Sequence, residues 1–169
     1  MSRRLLLLRH AKSDWNAAYG RDRDRPLAPR GRDAAAIMGR FIAVGGFAPD
    51  VVLTSPAVRA RATAELAAEA GGWEAPIEVR DGLYSGGGEA VLGELRQLPR
   101  ETKSVVAVGH EPVWSGLVEA LAGGGRVRFP TAAVACLTCG RSWSELAWGR
   151  MELRWLVTPK LLRRSGFGA

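Results

Sequence analysis

The chain has 169 residues, 47% of them hydrophobic, enough for one ordinary globular core. Its 24 Lys and Arg against 17 Asp and Glu give a formal charge of +7, which favours anionic partners: nucleic acid, a membrane surface or phosphorylated substrates. The basic residues are spread along the chain, with no basic run interleaved with aromatics, which argues against nucleic acid. The opening apolar run is too short for a signal peptide and no stretch is long enough to span a bilayer, so a cytoplasmic location is expected.

In chain order, the leucines at 5–8 read as a strand covered on both faces, and the run ends abruptly on Arg9 and His10. Residues 31–44 carry apolar side chains at helical spacing, with Ile37, Met38, Phe41 and Ile42 on one face. A short strand is predicted at 51–53, then Ser55 as a helix N-cap and Pro56 at the first helical position. The alanine-rich helix that follows stops at Gly71 and Gly72. Next come a weaker strand (PIEV), an amphipathic helix (GEAVLGELRQL), and SVVAVGH, which repeats the opening pattern of apolar strand and histidine. A helix is predicted at 113–121, a turn at the glycines after it, and two closing strands, TAAVACLTC and MELRWLV. The tail TPKLLRRSGFGA is expected to fray.

Alternating strands and helices predict an α/β domain with a largely parallel sheet between helical layers, the last two strands forming an antiparallel portion. Cys136 and Cys139 make a CxxC without a second pair to complete a zinc site. On a strand they face opposite sides, and they read as buried thiols. Trp143, Trp148 and Trp155 are assigned to core or interface packing, while Trp15 is expected at the entrance to a site.

The chain has two histidines, and each directly follows a predicted strand. Ligands of open α/β sheets bind at the carboxyl ends of the strands, so His10 and His110 are predicted to share one edge. Arg59 lies near the first turn of the helix after the second strand, whose amides suit an anion. Arg61 points to a different helix face and reads as a surface or salt-bridge residue. Arg9 and Arg59 can grip a phosphate bidentately. A neutral imidazole can attack phosphorus, and a second, protonated, can stabilise the equatorial oxygens. With no Walker-type loop and no carboxylate cluster for magnesium, phosphoryl transfer to histidine without metal or cofactor is the expected chemistry. The charged loop at 19–27 reads as solvated, with substrate reading beside the pocket as the alternative.

The stretch LRHAKSDWN resembles the RHG motif of the histidine phosphatase (phosphoglycerate mutase-like) superfamily. PLAPRG, LTSPAVRARATA and VGHEP follow in that superfamily's order. The short length, Ala11-Lys12 in place of Gly-Glu, and the ending TPKLL are most similar to the small SixA-type phosphohistidine phosphatases. The resemblance implies a single histidine phosphatase domain over 1–169, with the tail after about 160 flexible. It implies a three-layer α/β sandwich, with a mostly parallel central sheet and helices on both faces.

His10 would be the nucleophile that becomes phosphohistidine, with Arg9, Arg59 and His110 completing the phosphate pocket. Asn16, Ser13 and the backbone amide of Glu111 would add phosphate donors. The superfamily's acid is a glutamate shortly after the third strand. Asp81 stands nearest that place, with Glu89 further on and Glu111 beside His110. Expelling an alkoxide needs a proton donor, whereas imidazole, with its pKa near ~6.5, leaves far more readily. The implied function is therefore a metal-independent phosphatase acting on phosphohistidine of a protein partner. The alternatives are a phosphomonoesterase on a small metabolite and a non-catalytic phosphate or nucleic-acid binding module.

Overall fold

A computed structural model describes residues 2–167. Six strands form one sheet: β1 (Arg3–Arg9), β2 (Val51–Thr54), β3 (Ile77–Val79), β4 (Ser104–Gly109), β5 (Val134–Cys139) and β6 (Glu152–Val157). Their order across the sheet is β3-β2-β4-β1-β5-β6. Neighbours among β1 to β4 run parallel, and β5 runs antiparallel to both β1 and β6. The helices are α1 (Pro29–Val44), α2 (Val58–Gly71), α3 (Gly82–Ser85), α4 (Gly87–Arg96), α5 (Val113–Ala122) and α6 (Pro159–Arg164). No helix among the described residues is long and apolar enough to cross a membrane.

The leucine run explains the layering. A strand alternates its side chains, so Leu5 and Leu7 join one core, with Val91 and Leu95 of α4 and Leu117 of α5. Leu6 and Leu8 join the other, with Met38 and Ile42 of α1 and Ala60 and Ala64 of α2. Every leucine of the run is fully buried, each stabilising the fold by about 1.5–3 kcal/mol. Cys136 and Cys139 are buried in the two different cores, as their spacing requires. Glycine lets α1 approach the loop after β1: a Cβ on Gly31 would lie 2.1 Å from the Lys12 carbonyl oxygen.

Two expectations are corrected. Ser55 does not cap α2. Its amide donates to the Val108 oxygen at 3.0 Å, extending the sheet ladder by one residue, so the helix starts only at Val58 with Ala57 as N-cap. The described part of the tail forms the short helix α6. Thr158 caps α6 by accepting from the Leu161 amide, Leu162 is buried, and Phe167 packs edge-on against Phe41; Gly168 and Ala169 lie outside the described residues. Trp148 is not a core residue: it is exposed, and its Nε1 donates to Glu89 Oε1 at 2.9 Å. Trp143 and Trp155 do pack, Trp143 in the core and Trp155 against Phe41 and Phe47.

Candidate active site

Register brings the two histidines together. Arg9 of β1 pairs with Gly109 of β4, and the His10 amide donates to the Gly109 oxygen at 2.9 Å. The next residue on each strand is a histidine, and the two ring centroids stand 5.0 Å apart. They line a cavity of about 440 Å³ at the carboxyl edge of the sheet, together with Arg9, Arg59, Ser13 and Glu111. A larger cavity, about 1610 Å³, opens at the opposite edge around Arg3, Lys103 and Trp143, away from both histidines.

His10 is buried, and its Nδ1 lies 2.8 Å from the Ala11 carbonyl oxygen. A carbonyl only accepts, so Nδ1 carries the proton and the lone pair sits on Nε2. Burial pushes His10 down to about 3, reinforced by His110, Arg59 and Arg9 and opposed by the Ala11 hydrogen bond. The ring is neutral at neutral pH. Thr63 anchors this turn, accepting from the Ala11 amide at 3.0 Å and donating to the Arg59 carbonyl at 2.7 Å.

His110 Nε2 lies 2.7 Å from Ser55 Oγ, which also accepts from the Ala57 amide at 3.2 Å. Burial, then the Arg59 charge, pushes His110 down to about 4. With the pocket's own charges alone the ring is neutral at pH 7. The fixed positive charge comes from arginines instead. Arg9 donates through Nη1 to the Phe129 oxygen at 2.8 Å. Arg59 donates to the Asp22 backbone oxygen at 2.7 Å and to its Oδ2 at 2.9 Å. Arg61 is exposed and faces Glu65 at 3.8 Å, as its helix position predicts.

The remaining candidates divide. Ser13 is buried on the cavity wall, and Glu111 lines it, its Oε2 accepting from the Ser115 amide and hydroxyl at 3.0 and 2.9 Å. Asn16 and Asp81 are exposed, and neither is part of the cavity lining. The Asn16 backbone amide donates to Asp14 Oδ1 within the same loop. Asp81 starts α3, which instead brings Tyr84 to the cavity, its ring 5.5 Å from that of His110.

Residues 19–27 flank the pocket. A 3-10 turn at Asp22–Asp24 puts Asp22 beside Arg59, and Arg25 lies buried in the wall with Trp15 over its guanidinium. Asp22 and Arg25 were hidden in the sequence by a loop of alternating charges. The one available signal was the position of Arg25, directly before the PLAPRG motif.

The family model of the histidine phosphatase superfamily (branch 1) matches residues 5–85. An uncharacterised Mycobacterium leprae protein is 32% identical over 165 residues, spanning 90% of this chain and 100% of its own. The chain belongs to the histidine phosphatase superfamily. A Nakamurella multipartitia structure carrying the phosphohistidine phosphatase SixA name superposes on this phosphatase with a TM-score of 0.83, at 30% identity, covering 94% of this chain and 97% of that one. The protein histidine phosphatase SixA complexed with tungstate gives 0.82 at 28% identity, covering 94% and 99%. The phosphatase thus shares the α/β fold with its mostly parallel sheet, and it is a hydrolase.

Proposed function

We propose that residues 1–169 form one phosphatase domain that removes phosphate from phosphohistidine on a protein partner, through a phosphohistidine formed on His10. The observation that carries this reading is the neutral His10, its Nδ1–H committed to the Ala11 oxygen and its Nε2 left with the lone pair.

Nε2 attacks phosphorus as the bond to the substrate imidazole breaks, and the bonding electron pair stays on the departing nitrogen. A substrate ring protonated on its other nitrogen departs as neutral imidazole, so no acid on the enzyme is needed. Arg9 and Arg59 neutralise the phosphoryl oxygens, and the dianion draws His110 toward its protonated form in the transition state. Ser13 and the Glu111 amide are the remaining proposed donors at the wall. Water then attacks the phosphohistidine from the face the leaving group vacated, releasing phosphate and restoring neutral His10.

The carboxyls support this choice of substrate. Asp81 lies outside the cavity, and Asp22 is held below the usual carboxylate range, because Arg59 and Arg25 outweigh the opposing effect of burial. Small phosphomonoesters remain the second reading, favoured only by the presence of Glu111 in the wall.

The test is a rapid acid-free quench after mixing with a ³²P-labelled phosphohistidine protein. Acid-labile label on the wild type, and none on His10→Ala, is the expected result. Equal labelling of both, or none on either with substrate consumed, overturns the reading.

A further inference from the structure

We propose that the cavity of about 1610 Å³ at the opposite edge of the sheet is a second anion site, for a small molecule carrying two or more phosphates. The site goes beyond the phosphatase reading and does not depend on it, because none of its residues lines the histidine pocket.

Topology puts this cavity at the far end of the two strands that carry the histidines. Arg3 opens β1 and Lys103 directly precedes β4, whereas His10 and His110 follow the other ends of these strands. The seven residues of β1, rising ~3.3 Å each, hold the two sites about 20 Å apart, so one small ligand cannot occupy both. One wall is the segment at 98–103 before β4, and the other is the connection between β5 and β6. Trp143 ties the walls together: it is buried, and its Nε1 donates to the Thr102 oxygen at 2.8 Å. Arg96 Nε holds the same connection from α4, donating to the Leu146 oxygen at 2.8 Å. The cavity is preformed rather than a gap between loose loops.

Its charge is uncompensated. Arg3, Arg100, Lys103, Arg141 and Arg150 line it, and among the described residues none of the five forms an ion pair. Three carboxylates share the lining, and two are committed elsewhere. Glu145 Oε2 accepts from the Ser142 amide at 3.3 Å and from its hydroxyl, and Glu152 pairs with Arg154 at 2.8 Å. Arg3 is the decisive residue. It is only 9% exposed, its Nη2 donates to the Arg100 carbonyl oxygen, and its Nε is buried without a partner. Buried charges are ordinarily paired, and here the protein supplies no carboxylate to do it. An anion from solution completes the site. Four of the five cations are arginines, whose forks suit phosphate oxygens. The cavity is also larger than the ~300–1,000 Å³ of an ordinary ligand pocket, which leaves room for more than one phosphate.

The experiment is calorimetric titration with inorganic pyrophosphate, orthophosphate and a hexaglutamate peptide, with thermal melts alongside. Wild type is expected to show two pyrophosphate-binding events. Arg59→Ala should weaken the one in the histidine pocket, and the paired variant Arg100→Ser/Arg150→Ser should weaken the other by about tenfold or more. Both of these arginines are exposed, so the paired variant tests the site without disturbing the core. Arg3→Met removes the buried charge, and it should abolish the rise in Tm that pyrophosphate gives the Arg59→Ala protein. A single event in wild type that Arg59→Ala removes overturns the proposal, as does wild-type affinity in the paired variant. A Tm rise retained by folded Arg3→Met overturns the role of that residue, and if Arg3→Met fails to fold the paired variant carries the test. Orthophosphate bound as tightly as pyrophosphate, or hexaglutamate bound more tightly, overturns the ligand class. The phosphatase reading is judged separately. Label on His10 with no second binding event overturns this site alone, and a second event without label overturns the phosphatase reading alone.

Discussion

His10 and His110 stand side by side just beyond the last rung of one ladder: each follows a residue of the Arg9–Gly109 pair, and their rings stand 5.0 Å apart. This juxtaposition depends on the parallel register of β1 and β4, which fixes the distance between a proposed nucleophile and the group that faces the phosphoryl oxygens. His110→Gln is expected to lower kcat by about 10²–10³ with the fold intact. Ser55→Ala, which removes the partner of His110 Nε2, should cost less, about tenfold. Pre-steady-state quench kinetics of both variants checks the order; equal rates would refute it.

Arg59 and Arg61 lie two residues apart and differ entirely in setting, one buried in the pocket and one exposed beside Glu65. Arg59→Ala should reduce kcat/KM by about 10³ or more, since it strips charge-assisted contacts and leaves Asp22 paired with Arg25 alone. Arg61→Ala should stay within about twofold and shift stability by under ~0.5 kcal/mol. Parallel kinetics and urea unfolding of the two variants measure the contrast.

Thr63 is fully buried and ties the Ala11 amide to the Arg59 carbonyl. Thr63→Val keeps the shape but leaves the Ala11 N–H unpaired in the core. A loss of about 1–3 kcal/mol is expected in denaturant unfolding, together with a fall in kcat as the Ala11 carbonyl loosens its hold on His10. Unchanged stability would show that water replaces the hydroxyl.

The histidines make a definite pH prediction. An unfolded histidine titrates near ~6.5, whereas burial holds His10 at about 3 and His110 at about 4 in the fold. Between these values the unfolded chain binds more protons, so their contribution is fully present above ~6.5 and is lost as pH falls toward the folded values. Each should add about 1.4 kcal/mol per pH unit to the slope. Urea unfolding across this window should give a shallower slope for His10→Gln than for wild type. A parallel pair of curves would contradict the buried, neutral ring.

Much of this was legible in the chain. The leucines at 5–8 demanded a strand buried on both faces, the cysteine spacing placed each thiol in a separate core, and the RHA, VRAR and GHEP motifs contain Arg9, His10, Arg59 and His110, which line one cavity. These features are local: periodicity, helix-starting chemistry and residue type act within a few positions. Tertiary structure decided the rest, because it depends on which strands pair and in what register. It placed Ser55 on the ladder against His110 rather than on a helix cap. It left Asp81 in solvent and made Arg25 and Asp22 part of the pocket wall. It also set the charge of His110, since the desolvation that keeps this ring neutral arises only when distant segments close around it.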